Sequence, residues 1–169
     1  MAKLDILTYP DGFLLKPTLP VENIDGNLQK FIDDMADTMF DAPGVGLAAI
    51  QVGSNQSLLV YDDAPGEAKQ SYNAIINPQL VDSHGEILSE NEGCLSVPDF
   101  RADVKRSASV LVEGYDRDGK PLQIEVNGFL AIVLQHEIDH LNGTLFIDRI
   151  SALKRQLYKR RVKKMMRNQ

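Results

Sequence analysis

QHEIDHLNG (135–143) closes a longer run, NGFLAIVLQHEIDHLNG (127–143), and the reading of that run decides the arrangement of the chain. Asn127 stands where a helix cap would stand, an apolar stretch follows, and Asn-Gly at 142–143 is a stop signal. A buried helix over 127–141 is the expectation. The chain has three histidines, and two of them, His136 and His140, sit one helical turn apart on the same face. Both imidazoles can then reach one ion, and Glu137, rotated off that line, lies where it can take a proton from a metal-bound water. Buried His and Glu need partners, which argues against idle core residues here.

Two ligands do not hold a catalytic metal, since three protein groups and a water are usual. A thermolysin-like layout takes its third ligand from a downstream glutamate, yet the only acid after His140 is Asp148. A metzincin layout needs a histidine where this chain has Phe146. The third ligand is therefore sought upstream, among Cys94, His84 and many carboxylates. Cys94, in EGCLS (92–96), is the best of these, because a thiolate binds first-row divalent ions strongly. His84, in DSHGE, reads as an exposed turn residue. Phe129, Ile132 and Val133 lie one and two turns before His136, so an apolar wall runs up to the metal and suits an unbranched apolar side chain.

Working outward, residues 25–40 show helical spacing of Leu28, Phe31, Ile32, Met35 and Met39, with Asp25 as candidate cap. From 56 to 126 the texture is short β-branched and aromatic runs, ending in a hairpin with Asp-Gly in its turn. From 151 a basic segment places Leu153, Leu157, Val162 and Met165 near helical spacing. The fold class is therefore α+β, with antiparallel sheets around a buried central helix and helices at both ends. With 169 residues, no repeat and no linker, a single domain over 1–169 is expected, with 151–169 as a basic C-terminal helix.

GVGLAAIQ (44–51) superficially fits a dinucleotide fingerprint, but a helix precedes it and no strand–helix alternation follows. Its two glycines instead leave the backbone bare, which suits an extended peptide added as a strand. The amide of Gln51 could then point at a developing oxyanion.

Charge is divided unevenly. Residues 1–148 hold 9 Lys and Arg against 24 Asp and Glu, whereas 149–169 hold 9 basic residues and no acid. The longest apolar run, FLAIVL (129–134), is too short to cross a bilayer, and MAKLDILTYP lacks a signal-peptide core. With a single cysteine no internal disulfide forms, so a cytoplasmic location is expected.

GVGLAAIQ, EGCLS and QHEIDHLNG, in this order and at these separations, resemble the three signature motifs of the peptide deformylases. The resemblance covers nearly the whole chain and is nearest to the bacterial type with a helical C-terminus. It implies one Fe2+ held by Cys94, His136 and His140, replaceable by Zn2+, Ni2+ or Co2+, with water as fourth ligand. It implies hydrolysis of the N-formyl group of initiator formylmethionine on new polypeptides, releasing formate. Glu137 would be general base and then acid, while the Gln51 amide and the Leu95 backbone N–H would stabilise the oxyanion. Gly44, Val45 and Gly46 would carry the peptide, and Phe129, Ile132 and Val133 the methionine side chain. Glu92 is expected to pair with a basic residue such as Arg106. The basic tail suggests docking near the ribosomal exit tunnel, not a membrane. The competing readings are a metalloprotease and a catalytically silent ribosome-binding module.

Overall fold

SLLVYD (57–62) contains four consecutive buried residues, and the reason is that β2 (Leu58–Asp62) is covered on both faces. The computed structural model describes residues 3–168. Leu58 and Val60 turn toward α1 (Gly26–Asp41) and pack with Leu28, Ile32, Met35 and Met39. Leu59 and Tyr61 turn the other way and join Ala131, Leu134 and Ile138 of α2 (Gly128–Leu141). Alternation along one strand thus feeds two cores. Each fully buried Leu or Ile there contributes about 1.5–3 kcal/mol.

Around β2 lies a five-stranded sheet in the order β1-β2-β3-β6-β7, antiparallel at every pairing. Its other strands are β1 (Gly46–Ala48), β3 (Tyr72–His84), β6 (Ser109–Tyr115) and β7 (Pro121–Asn127). A second sheet pairs only β4 (Ile87–Cys94) with β5 (Val97–Arg106), again antiparallel. The α+β class expected from the sequence is the observed one, with α1, α2 and α3 (Ala152–Arg167) beside the two sheets.

Local signals account for most boundaries. The Asp25 side chain accepts the Leu28 N–H at 2.9 Å and caps α1. The β6–β7 hairpin turns through Asp116–Lys120, where Asp116 Oδ1 accepts from the N–H of Asp118 and Lys120 and Gly119 has φ +83°. Asn127 occupies the N-cap position of α2, but its side chain makes no cap hydrogen bond. His84 is exposed, with Nε2 3.0 Å from Asp82 Oδ2, yet it ends strand β3 instead of lying in a turn.

The tail helix differs from its sequence reading. Leu153, Leu157 and Met165 are exposed, and the buried residue is Tyr158. Tyr158 packs against Phe100 and Tyr9, with ring centroids 4.6 and 5.8 Å away, and Val162 joins the same cluster. The partner surface is aromatic and comes from distant segments, so of the four aliphatic positions with helical spacing Val162 alone packs against this cluster.

α2 is capped at Asn142, and Gly143 follows with φ +78°. A Cβ there would lie 2.6 Å from the Leu15 carbonyl oxygen, because residues 15–18 strap across the helix end. Only glycine satisfies both the backbone angle and the space. A Gly143→Ala variant should lose roughly 1–3 kcal/mol of stability, read from denaturant unfolding. A parent-like midpoint would show that the strap yields.

Candidate metal and catalytic site

Two elements bring the chemistry together. α2 presents His136 and His140 on one face, and β4 ends at Cys94, a hairpin position and not a free loop. Cys94 Sγ lies 3.2 Å from His140 Nε2, which lies 3.2 Å from His136 Nε2. The three ligand atoms all fall within 4.8 Å of one another. Tetrahedral coordination with ordinary metal–sulfur and metal–nitrogen bonds requires separations of about 3.3–3.6 Å. Among the described residues this is the one group of His, Cys, Asp or Glu side chains that converges in this way. Asp148, the sole downstream acid, instead accepts the Leu145 N–H at 3.0 Å.

His136 is oriented from behind. Its Nδ1 meets Glu92 Oε1 at 2.7 Å, so Nδ1–H donates to the carboxylate and Nε2 faces the other ligands. Arg106 donates to both oxygens of Glu92, the pairing expected from sequence, and through Nη1 to Asp139 Oδ2 at 2.8 Å. Arg149 completes the row on Asp139 with contacts of 2.5 and 2.8 Å. Asp139 and Arg149 escaped the sequence reading, since their partners become visible only once α2 meets β5. Their one sequence signal is an acid inside a helix otherwise expected to be buried.

β4 reaches this network through a bulge. The register shifts between Ser89 and Glu92, where Asn91 takes φ +51°. The extra residue keeps Ser89, Glu92 and Cys94 on the inward side.

Glu137 is buried, and its Oε1 has no partner among the described residues. Burial pushes its carboxyl up to about 7 despite the nearby His136 charge. Gly46 explains how the carboxylate fits, since a Cβ there would lie 2.7 Å from Glu137 Oε2. Gln51 approaches from the other side, with Nε2 3.7 Å from Cys94 Sγ and 3.0 Å from Ser96 Oγ. Leu95 follows Cys94 directly, and its Cδ1 lies 2.9 Å from where a Gly44 Cβ would be.

A cavity of about 720 Å³ opens beside these groups. Gly44, Val45 and Gly46 form part of its wall, as do Phe129, Ile132 and Val133 of α2. Within that wall Val133 is buried, Ile132 half-buried and Phe129 55% exposed, so Phe129 stands at the mouth. Gln51, Cys94, Leu95, His136 and Glu137 line the same cavity, and His140 joins the cluster beside it, whereas His84 and Asp148 lie elsewhere.

A model of the family described as "Polypeptide deformylase" matches residues 3–156. The chain is 58% identical over 167 residues to a peptide deformylase of Desulfosudis oleivorans, covering 99% of this chain and 96% of that one. This chain belongs to the polypeptide deformylase family. A crystal structure of peptide deformylase from Legionella pneumophila is 49% identical, with a TM-score of 0.89 over 98% of this chain and 96% of that one. The enzyme from Ehrlichia chaffeensis, solved in complex with actinonin, has a TM-score of 0.89 at 39% identity, covering 98% of both chains. The family's activity is metal-dependent hydrolysis of the N-formyl group from formylmethionyl polypeptides, and this chain is such an enzyme.

The Glu92 pairing has a pH signature. Its carboxyl is held down at about 2: burial opposes ionisation, but hydrogen bonds from His136 and Arg106 outweigh it. The unfolded chain binds this proton near pH 4.5, so the stabilisation is complete above that value and fades as pH falls toward 2. A Glu92→Gln variant should be less stable than the parent at pH 7 and show a flatter loss between pH 4.5 and 2 in urea titrations. An unchanged acid limb would remove Glu92 as its cause.

Proposed function

We propose that Cys94, His136 and His140 hold one ferrous ion, and that Glu137, Gln51 and Leu95 carry out the deformylation around it. The observation that supports this most directly is the convergence of one sulfur and two imidazole nitrogens beside a buried, unpartnered carboxylate oxygen. The donor set also suits Zn2+, Ni2+ or Co2+, all of which accept imidazole and thiolate. In this reading α2 is the central helix of a single catalytic domain. When bound, the ion supplies a Lewis acid that makes water nucleophilic near neutral pH.

The chain's own groups divide the remaining work. Glu137 removes a proton from the attacking water and returns it to the leaving amine nitrogen. Gln51 Nε2–H and the Leu95 backbone N–H donate to the substrate oxygen as it gains negative charge. The formyl carbon bears only hydrogen, so a tight site admits it and excludes larger acyl groups by sterics. β1 pairs with β2 along one edge only, which leaves its other edge, approached through Gly44 and Val45, able to take the substrate backbone as an added strand. The methionine side chain then enters along Val133 and Ile132, with Phe129 closing over it.

A Glu137→Gln variant loaded with Ni2+ or Fe2+ under anaerobic conditions should keep its metal. Its formate release from a formyl-Met-Ala-Ser peptide should fall by about 10²–10⁴-fold in kcat. Near-parent turnover with metal bound would assign the base elsewhere.

The substrates emerge from ribosomes, and we propose that α3 docks there in the cytoplasm. Lys154, Arg160, Lys163, Lys164 and Arg167 are exposed, while Arg161 sits over the Phe100 and Tyr158 rings and donates to the Asp99 carbonyl. Among the described residues, no helix is long and apolar enough to cross a membrane. Removing α3 would also remove Tyr158 from a core, so charge neutralisation is the cleaner test. Arg160, Lys163 and Lys164 changed together to Gln should weaken ribosome binding and flatten its salt dependence, sparing hydrolysis of short peptides. Unchanged, salt-insensitive binding would contradict an electrostatic dock.

A further inference from the structure

Ser96, the last residue of EGCLS, is fully buried at 0% exposure and has no part in the roles above. We propose that Ser96 is a positioning residue whose hydroxyl holds the Gln51 carboxamide in the direction the reaction needs. The inference rests on the proposed role of Gln51.

The Gln51 amide is fixed at both ends. Its Oε1 accepts the Ala48 N–H at 2.9 Å, which places the NH2 end on the Cys94 side. There Nε2 meets Ser96 Oγ at 3.0 Å and Cys94 Sγ at 3.7 Å. An amide nitrogen carries two hydrogens. The hydroxyl takes one, and the geometry of a planar amide then fixes where the other points. Ser96 is itself immobilised: its carbonyl accepts the Tyr9 N–H at 2.8 Å and its own N–H donates to Cys94 Sγ at 3.3 Å. One residue thereby ties the amide, the thiolate and the N-terminal segment into one frame.

Without the hydroxyl, the acceptor left to Nε2 is sulfur, which is weak and distant. The glutamine then regains rotational freedom and its N–H no longer waits in a fixed direction. An interaction that acts chiefly on the charged transition state affects kcat more than KM.

The test uses Zn2+-loaded full-length protein, labelled with 15N-glutamine, with Gln51 signals assigned by their loss in Gln51→Leu. In Ser96→Ala the Gln51 NH2 signals should move toward free-amide positions and lose exchange protection, and Ser96→Thr should restore both. With metal content equal, kcat should fall about 10- to 100-fold in Ser96→Ala with KM within about threefold, and recover in Ser96→Thr. The Ser96→Ala/Gln51→Leu double variant should be no slower than Gln51→Leu alone. Unchanged Gln51 signals in Ser96→Ala, or additive losses in the double variant, would overturn the proposal. So would parent-like kcat in Ser96→Ala when Gln51→Leu is impaired. Full activity in Gln51→Leu would instead remove the role assigned to Gln51, leaving the amide signals to judge Ser96 as a structural anchor. If Ser96→Ala does not fold, Ser96→Cys, similar in size but a poor acceptor, replaces it under the same criteria.

Discussion

The buried guanidinium of Arg106 is the constraint on which the site depends. It lies between Glu92 on β4 and Asp139 on α2, with its side chain 2% exposed. Charges taken out of water at that depth cost several kcal/mol each unless paired, and removing one partner from such a set costs about 3–5 kcal/mol. The two-stranded sheet and α2 are therefore locked together at a register that satisfies all three groups. Because Glu92 also receives His136 Nδ1–H, the same lock sets which imidazole nitrogen faces Cys94. Sheet, helix and ligand orientation all depend on one row of alternating charges.

Glycine sets the other limit. Gly46 has no side chain, and that space holds the Glu137 carboxylate. The edge strand β1 can thus run directly beside that carboxylate. Burial of Glu137 then does two things at once. It encloses Oε1 away from any protein partner among the described residues, and it raises the carboxyl to about 7.

Much of this was legible in the sequence because it rests on local rules. The i, i+4 histidines lie on one face in any helix, Asp25 caps the helix that begins beside it, and Asp-Gly turns a hairpin. Cys94 could be preferred upstream on ligand chemistry alone. The hidden features depend on segments that meet only in three dimensions. Asp139 and Arg149 gain meaning from β5, the Asn91 bulge is a register shift with no composition signal, and Ser96 matters because Gln51 arrives from elsewhere. The tail shows the same limit, since Tyr158 is buried by Phe100 and Tyr9 while a plausible leucine row faces out.

A thiolate from the hairpin and two imidazoles from the helix should bind one ion, with a position left open for water. X-ray absorption at the metal edge of the anaerobic, iron-loaded protein tests it most directly. One sulfur at about 2.3 Å, two imidazole nitrogens near 2.0–2.1 Å and one further light atom are expected. Loss of the sulfur shell in Cys94→Ala should leave the imidazole scattering in place. A first shell without sulfur in the parent, or without imidazole, would contradict the site as described.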